Sequence, residues 1–400
     1  MSTGSRRRSR LVGALVVVAA LAAIGAGSRW ARRAEAPGRV RATLSVTETL
    51  GGDAPGYARA WFPRPFAFPA DHGPHPGYRT EWWYYTGNVD AVDGRHFGFQ
   101  LTVFRIGLAP RPVPRASAWG ATELYAAHFA VTDVAARRFH AVERTSRGAL
   151  GLAGATGPPG APLRVWVEDW TVDGAGPRAL PMRLRAARGN VALDVELLSG
   201  RPPVLQGDRG LSRKSEDPGN ASYYYSLTRM TARGTIRVGD RTQAVSGLAW
   251  MDREWSTSAL GREQVGWDWF ALQLGDGRDL MLYRLRRRDG TIDRWSQGTL
   301  VRPDGTRLTL GADAVVVDVL DHWRSPRSGT RYPARWRLRV PGEGIDVDVV
   351  PYLADQELDV AVRYWEGAVR VMARGGEPLG AGYVELVGYA DAAGRPAVRE

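Results

Sequence analysis

Cysteine is absent from the 400-residue chain. Its absence excludes disulfide bonds, thiolate nucleophiles, cysteine-ligated zinc and iron–sulfur clusters, and it also excludes lipid attachment to a cysteine behind a signal sequence. Because a chain without thiols folds in the same way in a reducing and in an oxidising compartment, cysteine usage does not indicate where the protein works. The compartment has to be inferred from the N-terminal segment instead.

Lysine is almost absent as well: Lys214 is the only one, and arginine carries nearly all of the positive charge. The formal net charge of +12 is concentrated at the N-terminus, where residues 1–41 hold nine arginines against the single acid Glu35. That segment has a charge of +8, which leaves only +4 for residues 42–400. We therefore expect no basic face for phosphate groups on the folded part, and we predict no nucleic-acid partner.

Motifs of several large enzyme classes are missing. The chain has no Gly-x-Ser-x-Gly nucleophile elbow, no glycine-rich phosphate loop and no His-Glu-x-x-His zinc motif. Asp71, His72 and His75 lie together in a proline-rich segment and are candidate metal ligands. We nevertheless predict neither a metal site nor a cofactor.

The N-terminus has the layout of a secretory signal peptide or of an uncleaved membrane anchor. Arginines at 6–10 precede an apolar run at 11–27, and a second arginine cluster follows at 29–33. The run is short for a bilayer span, so both fates stay open, and a buried core helix is the structural alternative. We predict that the body is exported and is secreted, periplasmic or otherwise extracytoplasmic, or tethered to the inner membrane by residues 11–27.

Long amphipathic helix patterns are missing after residue 40, and short runs with period-2 alternation take their place. Such alternation predicts strands, and its clearest examples are 96–103, 163–167, 191–197, 336–340 and 345–349. Aspartate and glycine, the residues that tight hairpins require, form pairs at 93–94, 239–240, 276–277, 289–290 and 304–305. This pattern predicts an all-β fold of antiparallel sheets closed into barrels, since closure removes exposed strand edges.

Two stretches of the chain resemble each other. Residues 83–105 contain Trp-Tyr-Tyr, then Asp-Gly-Arg, then an apolar strand, and residues 269–284 repeat this order with Trp-Phe-Ala and Asp-Gly-Arg. Two tandem β units would explain the likeness, and chance similarity between two aromatic hairpins is the alternative. The predicted segments are a signal peptide or anchor at 1–33, a Pro/Gly-rich linker and lead-in at 34–70, an N-terminal domain at 71–250 and a C-terminal domain at 251–400.

Aromatic residues cluster in four short segments, at 81–85, 222–226, 250–255 and 267–269. Consecutive residues of a strand point to opposite faces, so these aromatics cannot all fill one core. Several of them are expected to line a cavity or an interface, although aromatic core packing is the alternative.

Acidic residues are interleaved with these aromatics, at Glu81, Asp252, Glu254 and Asp268. A carboxylate in a tryptophan-rich setting either pairs with a cation such as Arg253 or has a raised pKa, which suits general-acid catalysis. A structural salt bridge is the alternative for each acid. His128 is a candidate general base or polar group of the pocket, or else a hydrogen-bonded core histidine.

Several longer motifs resemble the family of carotenoid 1,2-hydratase (hydroxyneurosporene synthase) and its AttH-like lipocalin relatives, many of which are labelled predicted secreted hydrolases. The resemblance covers roughly residues 60–395 and implies two tandem lipocalin-like β-barrel domains with an apolar cavity near their junction. The motifs are HPGYRTEWWYYTGNVDAVDGRHFGFQLTVFR at 75–105, ASYYYSLTRM at 221–230, GLAWMDREWSTSALG at 247–261, GWDWFALQLGDGRDLMLYRLR at 266–286 and YWEGAV at 364–369.

The resemblance also implies a chemistry. Hydratases of this family use an acid to protonate a terminal alkene, aromatic faces to stabilise the tertiary cation and a water molecule to quench it. Trp255 and Tyr283 match the family's motifs, whereas Arg253 and Leu285 stand where a histidine and an acid are expected. The AttH-like branch, encoded beside ABC-transporter permeases in many bacteria, is the closer likeness and implies such a permease as a partner.

Site residues follow from the acids, the aromatic clusters and the resemblance. The predicted catalytic residues are Asp252, Glu254, Asp268 and Tyr283. The predicted ligand-binding residues are Glu81, Trp82, Trp83, Tyr85, His128, Tyr224, Arg253, Trp255, Trp267 and Trp269.

Three functions are compatible with these residues. The first is an exported binding protein that holds an apolar, polyene or isoprenoid ligand in an aromatic cavity, in association with an ABC transporter. The second is a lyase or isomerase that starts alkene chemistry with an acid, as the hydratase resemblance implies. A hydrolase is third, because neither a nucleophile elbow nor a metal set supports it.

Overall fold

A computed structural model describes residues 54–111, 117–198, 200–258 and 260–390. The segment predicted as a signal peptide or anchor lies outside the described residues. Within the described residues, no helix is both long and apolar enough to span a bilayer. Nearly all of the described secondary structure is antiparallel β, as the alternation predicts.

The first sheet contains the strands between residues 80 and 256 and forms a nearly closed barrel. Its strand order is β4-β3-β2-β1-β13-β12-β9-β8-β7-β6-β5, and β10 and β11 also pair with β12. The strands are β1 Thr80–Ala91, β2 His96–Gly107, β3 Glu123–Asp133, β4 Arg138–Arg147, β5 Ala153–Thr156, β6 Arg164–Val167, β7 Trp170–Gly174, β8 Met182–Arg188, β9 Val191–Leu198, β10 Val204–Leu205, β11 Leu211–Arg213, β12 Ala221–Val238 and β13 Arg241–Ser256.

The second sheet begins at Gln264 and forms a half-barrel. Its order is β17-β16-β15-β14-β23-β22-β20-β19-β18, with β21 paired to β22. The strands are β14 Gln264–Leu274, β15 Asp279–Arg287, β16 Gln297–Val301, β17 Arg307–Gly311, β18 Val316–Arg324, β19 Arg331–Val340, β20 Ile345–Pro351, β21 Glu357–Leu358, β22 Tyr364–Met372 and β23 Pro378–Val387. Short 3-10 helices cover Ala70–His72, Gly176–Arg178, Ala312–Ala314 and Pro341–Glu343.

The predicted strands and hairpin turns are confirmed. Each of the five alternating runs lies in a strand, namely β2, β6, β9, β19 or β20, apart from residue 163. The Asp93-Gly94 pair joins β1 to β2, and Asp276-Gly277 joins β14 to β15. Gly94 and Gly277 have φ values of 83° and 88°, a left-handed conformation that glycine adopts without a steric penalty. Local residue chemistry therefore sets where this chain turns.

The internal repeat corresponds to equivalent hairpins in two tandem sheets. β1 lies between its hairpin partner β2 and the last strand of the first sheet, β13. In the same way, β14 lies between its partner β15 and the last strand of the second sheet, β23. The predicted architecture of tandem lipocalin-like barrels is therefore confirmed, and the chain changes from one sheet to the other between Ser256 and Gln264.

Three apolar clusters occupy the described part of the chain. One fills the first barrel, and its β1 members are Trp83, Tyr85, Val89 and Ala91. A second fills the half-barrel around Trp336 and Trp365. The third lies between the two sheets, and strands of both contribute to it. Because side chains alternate along a strand, the residues of β1 that do not fill the first barrel face the second sheet.

A buried ion-pair network fastens the lead-in segment to the first barrel. The Glu81 carboxylate accepts hydrogen bonds from the guanidinium groups of Arg105 and Arg253, and all three side chains are at most 1% exposed. Arg253 also donates to the Gly73 carbonyl oxygen over 2.6 Å. Burial by itself would raise the pKa of Glu81, but Arg253, His75 and Arg105 outweigh it and hold that pKa well below its usual range. Glu81 is therefore a buried carboxylate anion.

Removing the charge of Glu81 should destabilise the fold strongly. In Glu81→Gln two buried arginines lose their shared counter-ion, and breaking a buried pair in this way costs about 3–5 kcal/mol of unfolding free energy. Urea denaturation measures the loss. The matched control is Glu196→Gln, which breaks an exposed pair with Arg233 and should cost less than about 1 kcal/mol. Equal losses in the two variants would contradict the structural role of this network.

Candidate active site between the two sheets

A half-open cavity lies where the two sheets pack against each other. Its free space is about 100 Å³, whereas one water molecule needs roughly 10–15 Å³ by the same measure. A volume of this size has room for one end of a long molecule and is too small for a whole polyene. Its lining residues are Trp82, Tyr84, Phe104, Lys214, Tyr224, Asp252, Glu254, Trp267, Trp269, Tyr283, Leu285 and Glu385.

Strand alternation places the acids of β13 in this cavity. Met251 and Trp255 of β13 fill the first barrel, so Asp252 and Glu254 point to the other face, toward the second sheet. β1 runs antiparallel beside them, with Tyr84 opposite Asp252 and Trp82 opposite Glu254. The same alternation therefore delivers two acids and two aromatic rings to one wall.

Asp252 is a buried acid whose partners are all neutral. Its carboxylate accepts hydrogen bonds from the Tyr224 hydroxyl, from Ser226 Oγ at 2.5 Å and from Trp250 Nε1 at 2.7 Å. No arginine or lysine nitrogen of the described residues lies within 4 Å of it. Burial raises the pKa of Asp252 to about 7, and the three hydrogen bonds only partly oppose this effect. Asp252 is thus able to hold and release a proton near neutral pH.

Glu254, two residues further along β13, has a cationic partner. Its carboxylate lies 3.1 Å from Lys214 Nζ and accepts a hydrogen bond from Ser222. Burial lowers the pKa of Lys214, but Glu254 and Tyr283 outweigh this effect and the pKa lies above its ordinary value. Lys214 is therefore an ammonium group beside Glu254, and within the described part of the chain Glu254 has a cationic partner whereas Asp252 has none.

Two further acids lie on the second sheet. Glu385 of β23 reaches the cavity and accepts a hydrogen bond from Trp267 Nε1 at 2.5 Å. Glu366 of β22 stands directly opposite Glu385. Burial raises the pKa of Glu385 to about 7, and burial together with Glu385 raises that of Glu366 well above its usual range. This pair is therefore protonated in part at neutral pH, since like charges directly opposite each other are unfavourable.

Aromatic rings surround the acids. Tyr84 and Trp269 pack edge to face, with ring centroids 5.1 Å apart, and Trp250 packs on Trp269 at 6.3 Å. Trp269 Nε1 donates to the Tyr224 hydroxyl over 3.2 Å, which fixes the ring beside Asp252. Aromatic faces attract cations, so this wall can stabilise positive charge that develops on a bound molecule.

The structure brings together half of the predicted site residues. Those that line the cavity are Trp82, Tyr224, Asp252, Glu254, Trp267, Trp269 and Tyr283. His128 also lies between the sheets, but it is hydrogen-bonded to Tyr364 at 2.7 Å and to Glu143 at 3.1 Å. It does not line the cavity.

The other predicted residues lie on the opposite strand faces. Glu81, Trp83, Tyr85, Arg253 and Trp255 point into the first barrel and its end, where Arg253 lies 3.9 Å over the Trp83 ring. Asp268 lies on the face of β14 away from the cavity and is 3.0 Å from Arg286 Nε. Strand alternation is the cause, because neighbours such as Trp82 and Trp83 cannot share a face.

The candidate metal ligands near the first barrel have other partners. His75 Nε2 lies 3.1 Å from the Asp71 carboxylate, and the His75 ring stacks on Trp255. His72 Nδ1 lies 2.6 Å from the Tyr225 hydroxyl. Within the described ranges, no three histidine or acidic side chains are grouped as a metal site.

Sequence reasoning missed five of the lining residues, namely Tyr84, Phe104, Lys214, Leu285 and Glu385. Tyr84 could have been found by applying strict alternation from Trp82. Lys214 carried a compositional signal, because it is the only lysine of the chain. No local motif marks Glu385, which enters the cavity through the pairing of β23 with β14.

The two sheets make this chain a tandem lipocalin-like barrel protein, and acids and aromatic rings line the cavity between them. A family model described as AttH-like matches residues 59–389, so the chain belongs to the AttH-like family. No curated protein sequence matches the chain.

Solved structures with the same architecture support this assignment. A protein of Nitrosomonas europaea that is designated AttH is 33% identical, with a TM-score of 0.72 over 82% of this chain and 98% of that one. Kievitone hydratase of Nectria haematococca is 18% identical, with a TM-score of 0.60 over 81% of this chain and 95% of its own. At that identity the likeness concerns the fold alone.

The raised pKa of Asp252 predicts a pH-dependent contribution to stability. The native state keeps a proton that the unfolded chain releases near pH 3.8, and it releases its own only near pH 7. This contribution is complete below pH 3.8 and is lost as the pH rises through 7. The unfolding free energy of the wild type relative to Asp252→Asn should therefore fall by several kcal/mol between pH 4 and pH 8, at about 1.4 kcal/mol per pKa unit.

Urea denaturation at several pH values measures this difference. The exposed Asp289, whose pKa is lowered by hydrogen bonds from Thr291, provides the control variant Asp289→Asn, which should lack the fall above pH 5. A constant difference between wild type and Asp252→Asn from pH 4 to pH 8 would contradict the raised pKa.

Proposed function

We propose that this protein binds one end of an apolar unsaturated molecule, such as an isoprenoid or a polyene, and protonates its carbon–carbon double bond with Asp252. The observation that carries the proposal is a buried carboxyl group with a pKa near 7, set among tryptophan and tyrosine rings and without a cationic partner in the described part of the chain. The support comes from the site rather than from the fold, because related folds carry different activities.

The reaction begins with a proton transfer. Protonated Asp252 gives its proton to the terminal carbon of the alkene, and the π electrons form the new C–H bond. The neighbouring carbon becomes a tertiary cation, which lies against the faces of Trp267 and Trp269, while Asp252 becomes a carboxylate. The low dielectric of the cavity strengthens this stabilisation.

Two outcomes complete the reaction with balanced atoms. In a hydratase, water attacks the cation, a C–O bond forms, and the surplus proton passes to the carboxylate of Asp252. In an isomerase, an adjacent C–H bond breaks instead, its electrons form a new double bond, and the proton returns to Asp252. The acid is regenerated in both cases, so no cofactor is required.

A binding protein without turnover is the second candidate. It is favoured by the hydrogen bonds that already occupy the Asp252 carboxylate, from Tyr224, Ser226 and Trp250. A carboxyl group held in this way is less free to transfer its proton to a ligand. A hydrolase has less support, because among the described residues no serine hydroxyl is hydrogen-bonded to a histidine.

Deuterium uptake distinguishes the two candidates. We expect that the protein in D₂O places deuterium on the alkene carbons of myrcene or methyl geranate, with or without net addition of D₂O, as measured by mass spectrometry. Asp252→Asn should lower the rate at least 100-fold, since general acids contribute about 10²–10⁴-fold. The control Asp268→Asn removes a buried carboxylate outside the cavity and should retain the activity.

Tryptophan fluorescence quenching in the same samples reports binding. Binding without deuterium uptake would assign the protein a purely binding role. If neither the hydrocarbon myrcene nor the ester methyl geranate binds, the proposed function is contradicted. Equal loss of exchange in Asp252→Asn and Asp268→Asn would contradict the role of Asp252 in particular.

We also propose export, with residues 11–27 as part of a cleaved signal peptide or as a membrane tether, and an ABC-transporter permease as partner. The arginine-flanked apolar run of the sequence supports export, and the resemblance to AttH-like relatives encoded beside such permeases supports the partner. Full-length protein produced in a bacterial host should appear in the periplasmic or membrane fraction, and deletion of residues 1–33 should retain it in the cytoplasm. Cytoplasmic full-length protein would contradict export, and N-terminal sequencing distinguishes a cleaved signal from an anchor.

A further inference from the structure

One wall of the cavity is built from hydrogen-bond donors. Lys214 Nζ donates to Ser212 Oγ over 3.1 Å, and Ser212 Oγ lies 2.9 Å from the Tyr283 hydroxyl. Lys214 and Tyr283 both line the cavity, and all three residues are at most 6% exposed. Buried protons of this kind require acceptors, and a ligand in the half-open cavity can supply them.

The direction of the first of these hydrogen bonds follows from the groups themselves. An ammonium group only donates, so Ser212 accepts from Lys214. In the bond between the Ser212 and Tyr283 hydroxyls either oxygen can be the donor, and when Ser212 donates to the Tyr283 oxygen the Tyr283 proton is free for a ligand. Burial raises the pKa of Tyr283, although Lys214 and Ser212 oppose this, so Tyr283 remains a neutral hydroxyl.

The cluster therefore has more donors than acceptors. One N–H of Lys214 goes to Glu254 and one goes to Ser212. Its third N–H is near the ring of Tyr283, whose centroid is 4.2 Å from Nζ, and a ring face is a weak acceptor. In the arrangement in which Ser212 donates, the Tyr283 proton has no acceptor among the described residues. An oxygen atom on the ligand would accept from both Lys214 and Tyr283 at this place in the cavity.

Charge specifies the kind of oxygen. Glu254 already neutralises Lys214, and Asp252 and Glu385, each with a pKa near 7, give the cavity negative charge at neutral pH. An anionic ligand group would be repelled, whereas a neutral carbonyl oxygen would accept both protons without adding charge.

We propose that the ligand of this cavity is an oxygenated unsaturated molecule whose neutral carbonyl oxygen is bound by the Tyr283 hydroxyl and the Lys214 ammonium. The inference rests on the proposed function and names its substrate class. Glu254, which holds Lys214, and Asp252 are two residues apart on one face of β13, or about 7 Å. The carbonyl oxygen and the protonated carbon are thus separated by a similar distance, and a plain hydrocarbon leaves the donors unsatisfied.

The test compares three ten-carbon probes, namely myrcene, methyl geranate and geranic acid, which differ in having no oxygen, a neutral ester and a carboxylate. Tryptophan fluorescence quenching gives the Kd of each for the full-length protein at pH 7.5. The ester should bind at least about tenfold more tightly than the hydrocarbon, the effect of one or two hydrogen bonds. It should also bind more tightly than the acid.

Two variants assign this preference to the donor wall. Tyr283→Phe removes one hydroxyl and keeps the ring, and Lys214→Met removes the ammonium and keeps a chain of similar length. Each should reduce the ester-to-hydrocarbon ratio to about three or less. The matched control is Tyr332→Phe, which removes a buried tyrosine hydroxyl that is bonded to Glu357 in the second barrel, and it should keep the wild-type ratio.

Each other result has a definite meaning. Equal binding of ester and hydrocarbon by the wild type overturns the carbonyl site and leaves the proposed function intact. If geranic acid binds most tightly, the claim that the ligand oxygen is neutral is wrong. If the ester-to-hydrocarbon ratio is unchanged in both variants, the roles of Tyr283 and Lys214 are contradicted. If no probe binds, the proposed function fails together with this inference.

Discussion

The site depends on the alternation of side chains along the wall that the two sheets share. β1 and β13 each use one face to fill the first barrel and the other to pack against the second sheet. Each side chain of a strand points to one of two faces, so a polar residue that does not face the first barrel lies in the buried layer between the sheets. Asp252 and Glu254 lie in that layer because they alternate with the residues of β13 that face the first barrel, and their burial there determines their chemistry.

Two buried acidic groups of this protein show how neighbours decide protonation. Glu81 is as buried as an acid can be, yet the cations of Arg105 and Arg253 keep it ionised. Asp252 has hydrogen bonds but no cation, and burial prevails. The two acids lie on opposite faces of adjacent strands. Glu81 therefore serves as a structural charge, and Asp252 as an acid with a usable proton.

The cavity combines three kinds of surface in a small volume. Aromatic faces suit a cation, Asp252 is an acid with a pKa near 7, and the Lys214–Ser212–Tyr283 wall contains hydrogen-bond donors. Leu285 lines the cavity where the hydratase resemblance leads one to expect an acid. The acids of the cavity are instead contributed by β13 and by Glu385 of β23, so membership of the AttH-like family describes the scaffold and does not by itself specify a reaction.

Local signals, namely alternation and Asp-Gly turns, were enough to predict the strands, the hairpin turns and the tandem repeat. They marked Asp252 only as one of several candidate acids. The sequence did not determine which residues share a cavity. Trp83, Tyr85 and Trp255 were chosen with Trp82 and Trp269, although strand parity assigns them to the other face. Glu385 joins Asp252 across more than a hundred residues through the pairing of β14 with β23, and Lys214 is brought in from the segment that follows β11. These contacts depend on the tertiary structure, because strand pairing and sheet packing bring together residues whose separation in sequence carries no periodic signal.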